Sequence, residues 1–210
     1  MGCCTIAKEE KTVRCKWIFK RKEGLSPSKP PNYKARLVAK GYNQIPGVDY
    51  NDVSSPVVKH CSIRTFFSVV AAHDLELEQL DVKTAFLPGK LEEDIYIDQP
   101  EGFIVPGKEN FVCKLKRSLY GLKQSPRQWN KRFDSFMVSH GFKRSKFDSC
   151  VYIKHVNGSP IYLLIYIDDM LIAAKSRVEI AKLKKLLSSE VDMKDLLEIC
   201  SRGNHISMYS

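Results

Sequence analysis

IYLLIYIDDMLIAA, residues 161–174, is the stretch from which the fold of this chain can be worked out. Its two apolar runs are typical of buried strands, and two adjacent carboxylates, Asp168 and Asp169, lie between them. A charge beside an apolar core costs several kcal/mol unless it is paired or bound to a metal ion. The pair is therefore either a solvated turn or a site that uses carboxylates, and this stretch alone leaves both interpretations open.

A third carboxylate has a similar setting earlier in the chain. Asp81 stands at the end of an apolar strand predicted over Leu75–Val82. If this strand neighbours the one before Asp168 in the same sheet, all three aspartates project from one edge. Carboxylate oxygens are the ligands that Mg²⁺ prefers, and two such ions about 4 Å apart can activate a hydroxyl and stabilise a leaving pyrophosphate. No His or Cys is placed to serve as a base.

Further strands are predicted around these aspartates. Asn157-Gly158 is a strong two-residue hairpin signal between Val151–Val156 and Ile161–Tyr166. Four other stretches have strand-like patterns, and two of them alternate basic and apolar residues as a two-strand ribbon does. These stretches are Val13–Arg21 with Tyr33–Lys40, which form the ribbon, and the shorter Ile95–Ile97 and Phe111–Lys116.

Three helices are predicted, each with a recognisable beginning. Ser62 is expected to cap the first, Ser125 with Pro126 to open the second before Gly141 ends it, and a capping box of Ser176 and Glu179 to open the third. Strands and helices around one antiparallel sheet make this an α+β fold.

A basic stripe accompanies the second helix. Lys123, Arg127 and Lys131 recur every four residues, so they are predicted to lie on one side of it. These side chains either grip the phosphates of a nucleic acid or simply face water.

Composition and charge favour a globular protein with a polyanionic partner. The 210 residues are 43% hydrophobic and 28% charged, enough for one domain or two lobes sharing a core. The net charge of +10 is uneven: residues 1–60 carry 12 Lys/Arg against 5 Asp/Glu, residues 108–147 carry 11 against 2, and residues 74–101 reverse to 2 against 9. Basic blocks around an acidic one fit a surface for nucleic acid, with a solvated surface as the alternative.

Cysteine use and hydropathy indicate an intracellular protein. The seven cysteines form no CxxC pair, so reduced thiols are expected and a zinc site is not. The longest apolar run, Ile161–Ile167, has seven residues where a membrane span needs about 20, and the N-terminus has no secretory pattern. We expect a cytoplasmic or nuclear location and no membrane contact.

Several ordered blocks resemble the reverse transcriptases of copia-type retrotransposons, over roughly residues 12 to 195. YIDD (166–169) and QLDVKTAFL (79–87) are similar to the paired catalytic motifs of reverse transcriptases. The blocks that resemble the copia type are, in order, KWIFK (16–20), YKARLVAKGYNQIPGVDY (33–50), EEDIYIDQPEGF (92–103), LKRSLYGLKQSPRQW (115–129) and YIDDMLIA (166–173).

This resemblance implies the fingers and palm of a right-hand polymerase that copies RNA into DNA from a template–primer and dNTPs. Asp81 and Asp168 would be the principal catalytic metal ligands, with Asp169 as the second member of the pair. The cofactor would be two Mg²⁺ ions, with Mn²⁺ as a substitute.

Other site residues follow from the same resemblance. Phe86 falls where the family places an aromatic ring under the incoming sugar, although an ordinary core phenylalanine is the alternative. Basic residues of the predicted ribbon would meet the triphosphate, and a loop before the second helix would touch the nucleotide and template. The ribbon residues are Lys34, Arg36 and Lys40, and the loop residues are Tyr120 and Gly121.

The chain also departs from the family pattern. Pro88 and Lys90 replace a His and an acidic residue common in the family, and LEICSRGNHISMYS (197–210) replaces the expected hairpin that supports the primer end. We expect a poorly ordered lead over residues 1–11, the polymerase domain over 12–196 and a divergent tail over 197–210, with no thumb.

A full-length polyprotein would supply further Pol domains, and the sequence does not predict an oligomeric state. The alternative to a polymerase is a catalytically inactive transposon remnant that at most binds nucleic acid. A small RNA-binding module explains the basic blocks but leaves the three aspartates without a purpose.

Overall fold

The computed structural model describes residues 2–7, 11–22 and 30–199, with side chains described over 11–21 and 30–193. The turn-rich stretch after residue 22 and the end of the tail therefore lie largely outside the described residues. The chain divides into two compact units. Unit 1 comprises Met1–Ser54 and Phe86–Trp129, and unit 2 comprises Ser55–Ala85 and Asn130–Ser210.

Strands and helices both contribute to the described fold. The strands are β1 Gly2–Ala7, β2 Cys15–Lys22, β3 Asn32–Ala39, β4 Glu76–Val82, β5 Tyr96–Asp98, β6 Phe111–Lys114, β7 Lys143–Arg144, β8 Val151–Val156, β9 Ser159–Tyr166, β10 Asp169–Ala174 and β11 Met193–Ile199. The helices are α1 His60–Ala72, α2 Ser125–Ser139 and α3 Arg177–Glu190, with a short 3₁₀ turn at Gly41–Asn43.

Unit 1 contains a small sheet and a ribbon. The sheet has the order β1-β6-β5, and the predicted ribbon is confirmed as the antiparallel pair β2-β3, with Lys20 opposite Lys34. A shared apolar core connects them, because one end of the ribbon packs its side chains against the small sheet and the loop before α2. The buried residues of this core are Val13, Leu37, Ala39, Ile95, Ile97, Cys113, Leu115, Leu119 and Leu122.

Unit 2 is built on a six-stranded antiparallel sheet of order β11-β4-β10-β9-β8-β7. The hairpin predicted at Asn157-Gly158 is confirmed: both residues have positive φ, 50° and 78°, as a type I′ turn requires. Leu80, Met170 and Ile172 on the central strands are at most 1% exposed. The predicted mixture of helices with an antiparallel sheet is confirmed.

The N-terminal caps of α1 and α3 differ from those that their sequences predict. α1 starts at His60 with Lys59 at the cap position, so the prediction that Ser62 caps it is wrong. Ser176 does hold the cap position of α3, but it makes no side-chain cap hydrogen bond, so the capping box does not form. Glu179 instead pairs with Lys182, with Oε1 and Nζ 2.7 Å apart. Local patterns located these helices, but neither helix begins with the side-chain cap that its sequence predicts.

α2 has the predicted end and a shifted beginning. Ser125 is its first helical residue, and the Ser125 hydroxyl donates to the carbonyl of Leu119 at 2.6 Å. Gly141 has a φ of 81° just past the helix, and Phe142 N donates to the Met137 carbonyl at 3.1 Å. This is the expected use of glycine to end a helix.

Two further expectations concern the ends of the chain and the membrane. β1 lies inside the predicted lead, and β11 extends three residues into the predicted tail. The division at residues 11 and 196 stays a prediction. Over the part of the chain that the structure describes, no helix has the length and apolar character needed to cross a membrane.

Candidate functional site

The three aspartates meet at one edge of the sheet in unit 2. β10 pairs antiparallel with β4, and this register places Asp169 directly opposite Asp81. Asp168 lies in the two-residue turn between β9 and β10, where its carbonyl accepts a hydrogen bond from Val82 N at 2.9 Å. Asp169, rather than Asp168, is therefore the cross-strand neighbour of Asp81.

The electrostatics of Asp169 reflect this crowding. Burial raises the pKa of Asp169, and the negative charges of Asp168 and then Asp81 raise it further, while a hydrogen bond from Gln79 lowers it. That bond is long, with Nε2 and Oδ1 3.4 Å apart. Asp169 thus carries a partly buried negative charge beside two like charges, and among the described side chains one long hydrogen bond opposes them.

The turn that carries Asp168 has an unusual backbone. Ile167 has a φ of 60°, a region that β-branched residues rarely adopt, and its side chain is 44% exposed. Such strain costs about 1–3 kcal/mol and clusters at functional sites. The sequence did not predict this conformation, because the turn contains no glycine or asparagine.

The donor chemistry of the site suits Mg²⁺, but the side chains do not converge on one point. Three carboxylates supply the hard oxygen ligands that such an ion prefers. Among the described residues, however, no three side chains of His, Cys, Asp or Glu stand close enough together to hold an ion. The aspartates share an edge of the sheet without forming a finished metal-binding group.

Unit 1 brings three of the other predicted site residues together. The rings of Phe86 and Tyr120 meet edge to face with centroids 5.1 Å apart, and the Arg36 guanidinium lies 5.8 Å from the centre of the Tyr120 ring. Phe86 and Arg36 are both partly exposed. Arg36 thus lies over the Tyr120 ring, while Lys34 stands two residues earlier on β3 and Lys40 follows the end of that strand.

The structure gives a clear steric reason for a glycine at position 121. Its φ is 89°, and a Cβ there would lie 2.1 Å from the carbonyl oxygen of Ala39. A Cβ on Gly41 would lie 2.0 Å from the Gly121 carbonyl oxygen. The end of β3 and the loop of Tyr120 therefore touch through their backbones, and Ala39 N donates to the Tyr120 carbonyl at 2.7 Å.

Two buried glutamines, which the sequence did not single out, stabilise this contact. Gln44 and Gln124 are 4% and 0% exposed, and Gln44 Nε2 donates to Gln124 Oε1 at 3.0 Å. Gln44 Oε1 accepts from Lys123 N, and Gln124 Nε2 donates to the carbonyl of Asp49. Their partners are about 80 residues apart in the chain, so no local pattern predicts them.

The predicted basic stripe is not a simple helical face. Lys123 precedes α2 and donates to the Tyr50 hydroxyl at 3.0 Å, while the Arg127 Nε lies 3.0 Å from a carboxylate oxygen of Asp52. Lys131 belongs to unit 2. Two of the three side chains thus have partners within unit 1, and the nucleic-acid role of the stripe stays a prediction.

Unit 2 also contains a groove that the sequence did not predict. A mainly apolar groove of about 490 Å³ is lined by α1 and the residues around the start of β8. The buried carboxylate of Asp148 lies at this groove and accepts hydrogen bonds from the backbone N–H groups of Lys59 and Cys150, both at 2.9 Å. Asp148 therefore supports the N-terminus of α1, where negative charge is favourable.

Comparison with known proteins agrees with this architecture. A family model described as reverse transcriptase (RNA-dependent DNA polymerase) matches residues 3–202. The retrovirus-related Pol polyprotein from transposon TNT 1-94 of Nicotiana tabacum is 55% identical over 192 residues, which cover 91% of this chain and 14% of that protein. The retrovirus-related Pol polyprotein from transposon RE1 of Arabidopsis thaliana is 42% identical over 187 residues, covering 89% and 13%.

A more distant similarity reaches yeast. The putative transposon Ty5-1 protein of Saccharomyces cerevisiae is 37% identical over 117 residues, which cover 56% of this chain and 38% of that protein. The chain thus spans only about one seventh of the two plant polyproteins. It belongs to the reverse transcriptase family, as a domain of the kind found in copia-type retrotransposon Pol polyproteins.

Proposed function

We propose that this domain catalyses RNA-directed DNA synthesis, extending a primer 3′-hydroxyl with dNTPs on an RNA template. The observation that supports this most directly is the antiparallel register that sets Asp169 opposite Asp81, with Asp168 in the adjoining turn. Burial and the neighbouring charges of Asp168 and Asp81 raise the pKa of Asp169, so a negative charge is kept at this edge of the sheet at a cost.

In this proposal Asp81, Asp168 and Asp169 hold two Mg²⁺ ions, for which Mn²⁺ can substitute. When bound, the ions lower the pKa of the attacking hydroxyl and stabilise charge on the leaving pyrophosphate. The carboxylates would hold negative charge at one edge of the sheet. No side chain would need to transfer a proton when they bind the ions.

The contacts in unit 1 support roles in nucleotide binding. Phe86 would exclude a ribose 2′-hydroxyl, and its ring is held by the edge-to-face contact with Tyr120. Arg36 is the favoured triphosphate ligand over Lys34 and Lys40, because its guanidinium lies beside this aromatic pair. Gly121 would keep the backbone next to Tyr120 accessible to the nucleotide or template.

We propose that the ribbon of unit 1 is the fingers element and the sheet of unit 2 the palm of a right-hand polymerase. Lys123, Arg127 and Lys131 would contact template–primer phosphates. In the cell, the domain would act together with other Pol domains, in the cytoplasm or nucleus.

A second candidate function, passive binding of nucleic acid by an inactive remnant, is favoured by one observation. The described residues contain no preassembled group of three metal-ligating side chains. The two functions differ in what metal ions do: they are required for synthesis and dispensable for binding through basic side chains.

Primer extension on an RNA template, with Mg²⁺ and then Mn²⁺, distinguishes the two. We expect extension by the wild type and loss of extension in Asp168→Asn. Asp74→Asn is the matched control, because Asp74 is an exposed aspartate of the same unit with a φ of 48°, which asparagine adopts readily.

Binding of Mn²⁺, followed by electron paramagnetic resonance, gives a second measurement that does not require synthesis. Asp168→Asn should weaken it with an unchanged melting temperature. If the wild type binds template–primer but neither extends it nor binds Mn²⁺ better than Asp168→Asn, the passive role replaces the polymerase.

A further inference from the structure

Gln79 stands two residues before Asp81 on β4, on the face of the sheet that carries both Asp81 and Asp169. Side chains alternate along a strand, and directly paired residues point to the same face. Gln79 is paired with Leu171 on β10, and Asp81 is paired with Asp169, so the four side chains share one face. Asp169 is therefore the diagonal neighbour of Gln79, a separation that a long side chain can span.

The amide of Gln79 makes this diagonal contact. Its Nε2 donates to Oδ1 of Asp169, with the two atoms 3.4 Å apart, and both residues are partly buried. An asparagine at position 79 would carry the same amide on a side chain that is one methylene shorter. The contact therefore depends on the length of the glutamine side chain as well as on its chemistry.

The opposite face of β4 treats its acidic residues differently. Glu76 and Glu78 each form an ion pair with a cation of α3, with nitrogen and oxygen 3.1 and 2.7 Å apart. Apart from burial, the described groups that shift the pKa of Asp169 are two carboxylates and the neutral Gln79 amide. A lysine or arginine in place of that amide would neutralise the carboxylate and compete with a metal ion for it. A neutral donor can orient the carboxylate and leave its charge available.

A carboxylate that binds a metal ion is commonly held by a second residue. Such partners orient the ligand, and their loss typically lowers metal affinity or activity 10–100-fold. Asp169 has like charges beside it, Asp168 along the chain and Asp81 across the strand pair, and both repel its carboxylate. The hydrogen bond from Gln79 restricts rotation of this carboxylate, because it holds one of the two oxygens.

We propose that Gln79 is a positioning residue, which holds the Asp169 carboxylate in the orientation in which it binds a divalent cation. This role rests on the proposed function, because it takes Asp169 as a metal ligand. Gln79 itself is assigned no contact with the metal, the dNTP or the template. Its removal should therefore weaken cation binding and slow synthesis without changing the affinity for dNTPs.

Gln79→Met in the full chain tests this role, because methionine has nearly the shape of glutamine and lacks the amide donor. We expect the Mn²⁺ affinity, followed by electron paramagnetic resonance, and the kcat of primer extension each to fall about tenfold, with an unchanged KM for dNTP. Gln79→Asn should have the same effect, because its amide cannot reach Asp169. Leu171→Met is the matched control: this partly buried residue lies on the same face, and its exchange should leave both quantities unchanged.

A double-mutant cycle separates positioning from loss of packing. In the Asp169→Asn background, Gln79→Met should cause no further loss of Mn²⁺ affinity, because the carboxylate that it positions is gone. The same tenfold loss in both backgrounds would mean that Gln79 acts through packing, which overturns the proposal. Thermal melting should be the same in the wild type and in Gln79→Met.

Nuclear magnetic resonance without metal tests the contact itself. The side-chain amide signal of Gln79, assigned by its absence from Gln79→Met, should shift in Asp169→Asn. An identical signal in the wild type and Asp169→Asn overturns the proposal, as does equal Mn²⁺ affinity in the wild type and Gln79→Met.

The outcomes also distinguish this role from the proposed function. Absence of primer extension, with a Mn²⁺ affinity that still depends on Gln79, removes the proposed synthesis alone. Extension that is lost in Asp168→Asn and unchanged in Gln79→Met removes the positioning role alone.

Discussion

Asp148 and Asp169 are two aspartates of unit 2 whose pKa values are shifted in opposite directions. Asp148 is buried and Asp169 is partly buried. Burial by itself raises the pKa of Asp148, but hydrogen bonds from Ser62 and from the backbone N–H groups of Lys59 and Cys150 outweigh it, and the pKa is lowered. The pKa of Asp169 is raised by burial and by two neighbouring carboxylates, and only one long hydrogen bond opposes them. The protein satisfies the first charge with several of its own donors, whereas the second stands beside two like charges with one long hydrogen bond to oppose them.

This difference separates a carboxylate that stabilises the fold from one that is suited to chemistry. A buried charge with several donors supports structure, whereas a buried charge beside like charges is retained at a cost. Perturbed pKa values of the second kind are typical of functional sites. Exchanging each aspartate for the isosteric asparagine tests this separation directly.

The largest expected effect is on synthesis in Asp169→Asn. If Asp169 is a metal ligand as proposed, its loss should remove several kcal/mol of transition-state stabilisation and lower the rate of primer extension on the order of 10³-fold. The free energy of unfolding should not fall, because the substitution removes a disfavoured charge. Equal extension rates for this variant and the wild type would mean that Asp169 is not part of the active site.

Asp148→Asn should show the reverse pattern. One asparagine oxygen cannot accept all the hydrogen bonds that the carboxylate accepts, and bonds to a charged acceptor contribute about 1.5–3 kcal/mol. We expect urea denaturation to show a loss of about 2 kcal/mol. Extension measured well below the melting temperature should persist. If stability is unchanged, the hydrogen bonds from Lys59 and Cys150 do not matter for the fold.

The smallest effect is the pH dependence of that stability difference. Since the pKa of Asp148 is lowered on folding, its contribution is present above the unfolded value of about 3.9 and is lost as the pH falls through the folded pKa. The gap in unfolding free energy between the wild type and Asp148→Asn should be constant above about pH 5 and shrink below about pH 4. A gap that widens on acidification would contradict this assignment.

Much of the fold was predictable because its elements have local signals. Asn157-Gly158 supplies the positive φ values that its turn needs, and alternation along Val13–Arg21 gave the ribbon. The second turn of the same antiparallel sheet, at Ile167-Asp168, breaks these rules with a β-branched residue at positive φ. Local sequence and local structure are expected to agree everywhere except at functional sites. The turn whose conformation the sequence did not predict is the one beside the candidate catalytic aspartates.

The residues of the candidate site were predictable from the sequence, but their arrangement in space was not. The sequence alone placed Asp81, Asp168 and Asp169 at strand ends, because a carboxylate between apolar runs is tolerated only where water or a cation can reach it. Tertiary structure decided that Asp169 faces Asp81, that Asp148 supports the first turn of α1, and that Lys34 and Phe19 lie on opposite faces of one ribbon. These outcomes depend on register and on contacts between residues up to about 90 positions apart. A shift of one residue in register moves every side chain to the other face, so these outcomes depend on how strands that are far apart in the sequence are paired.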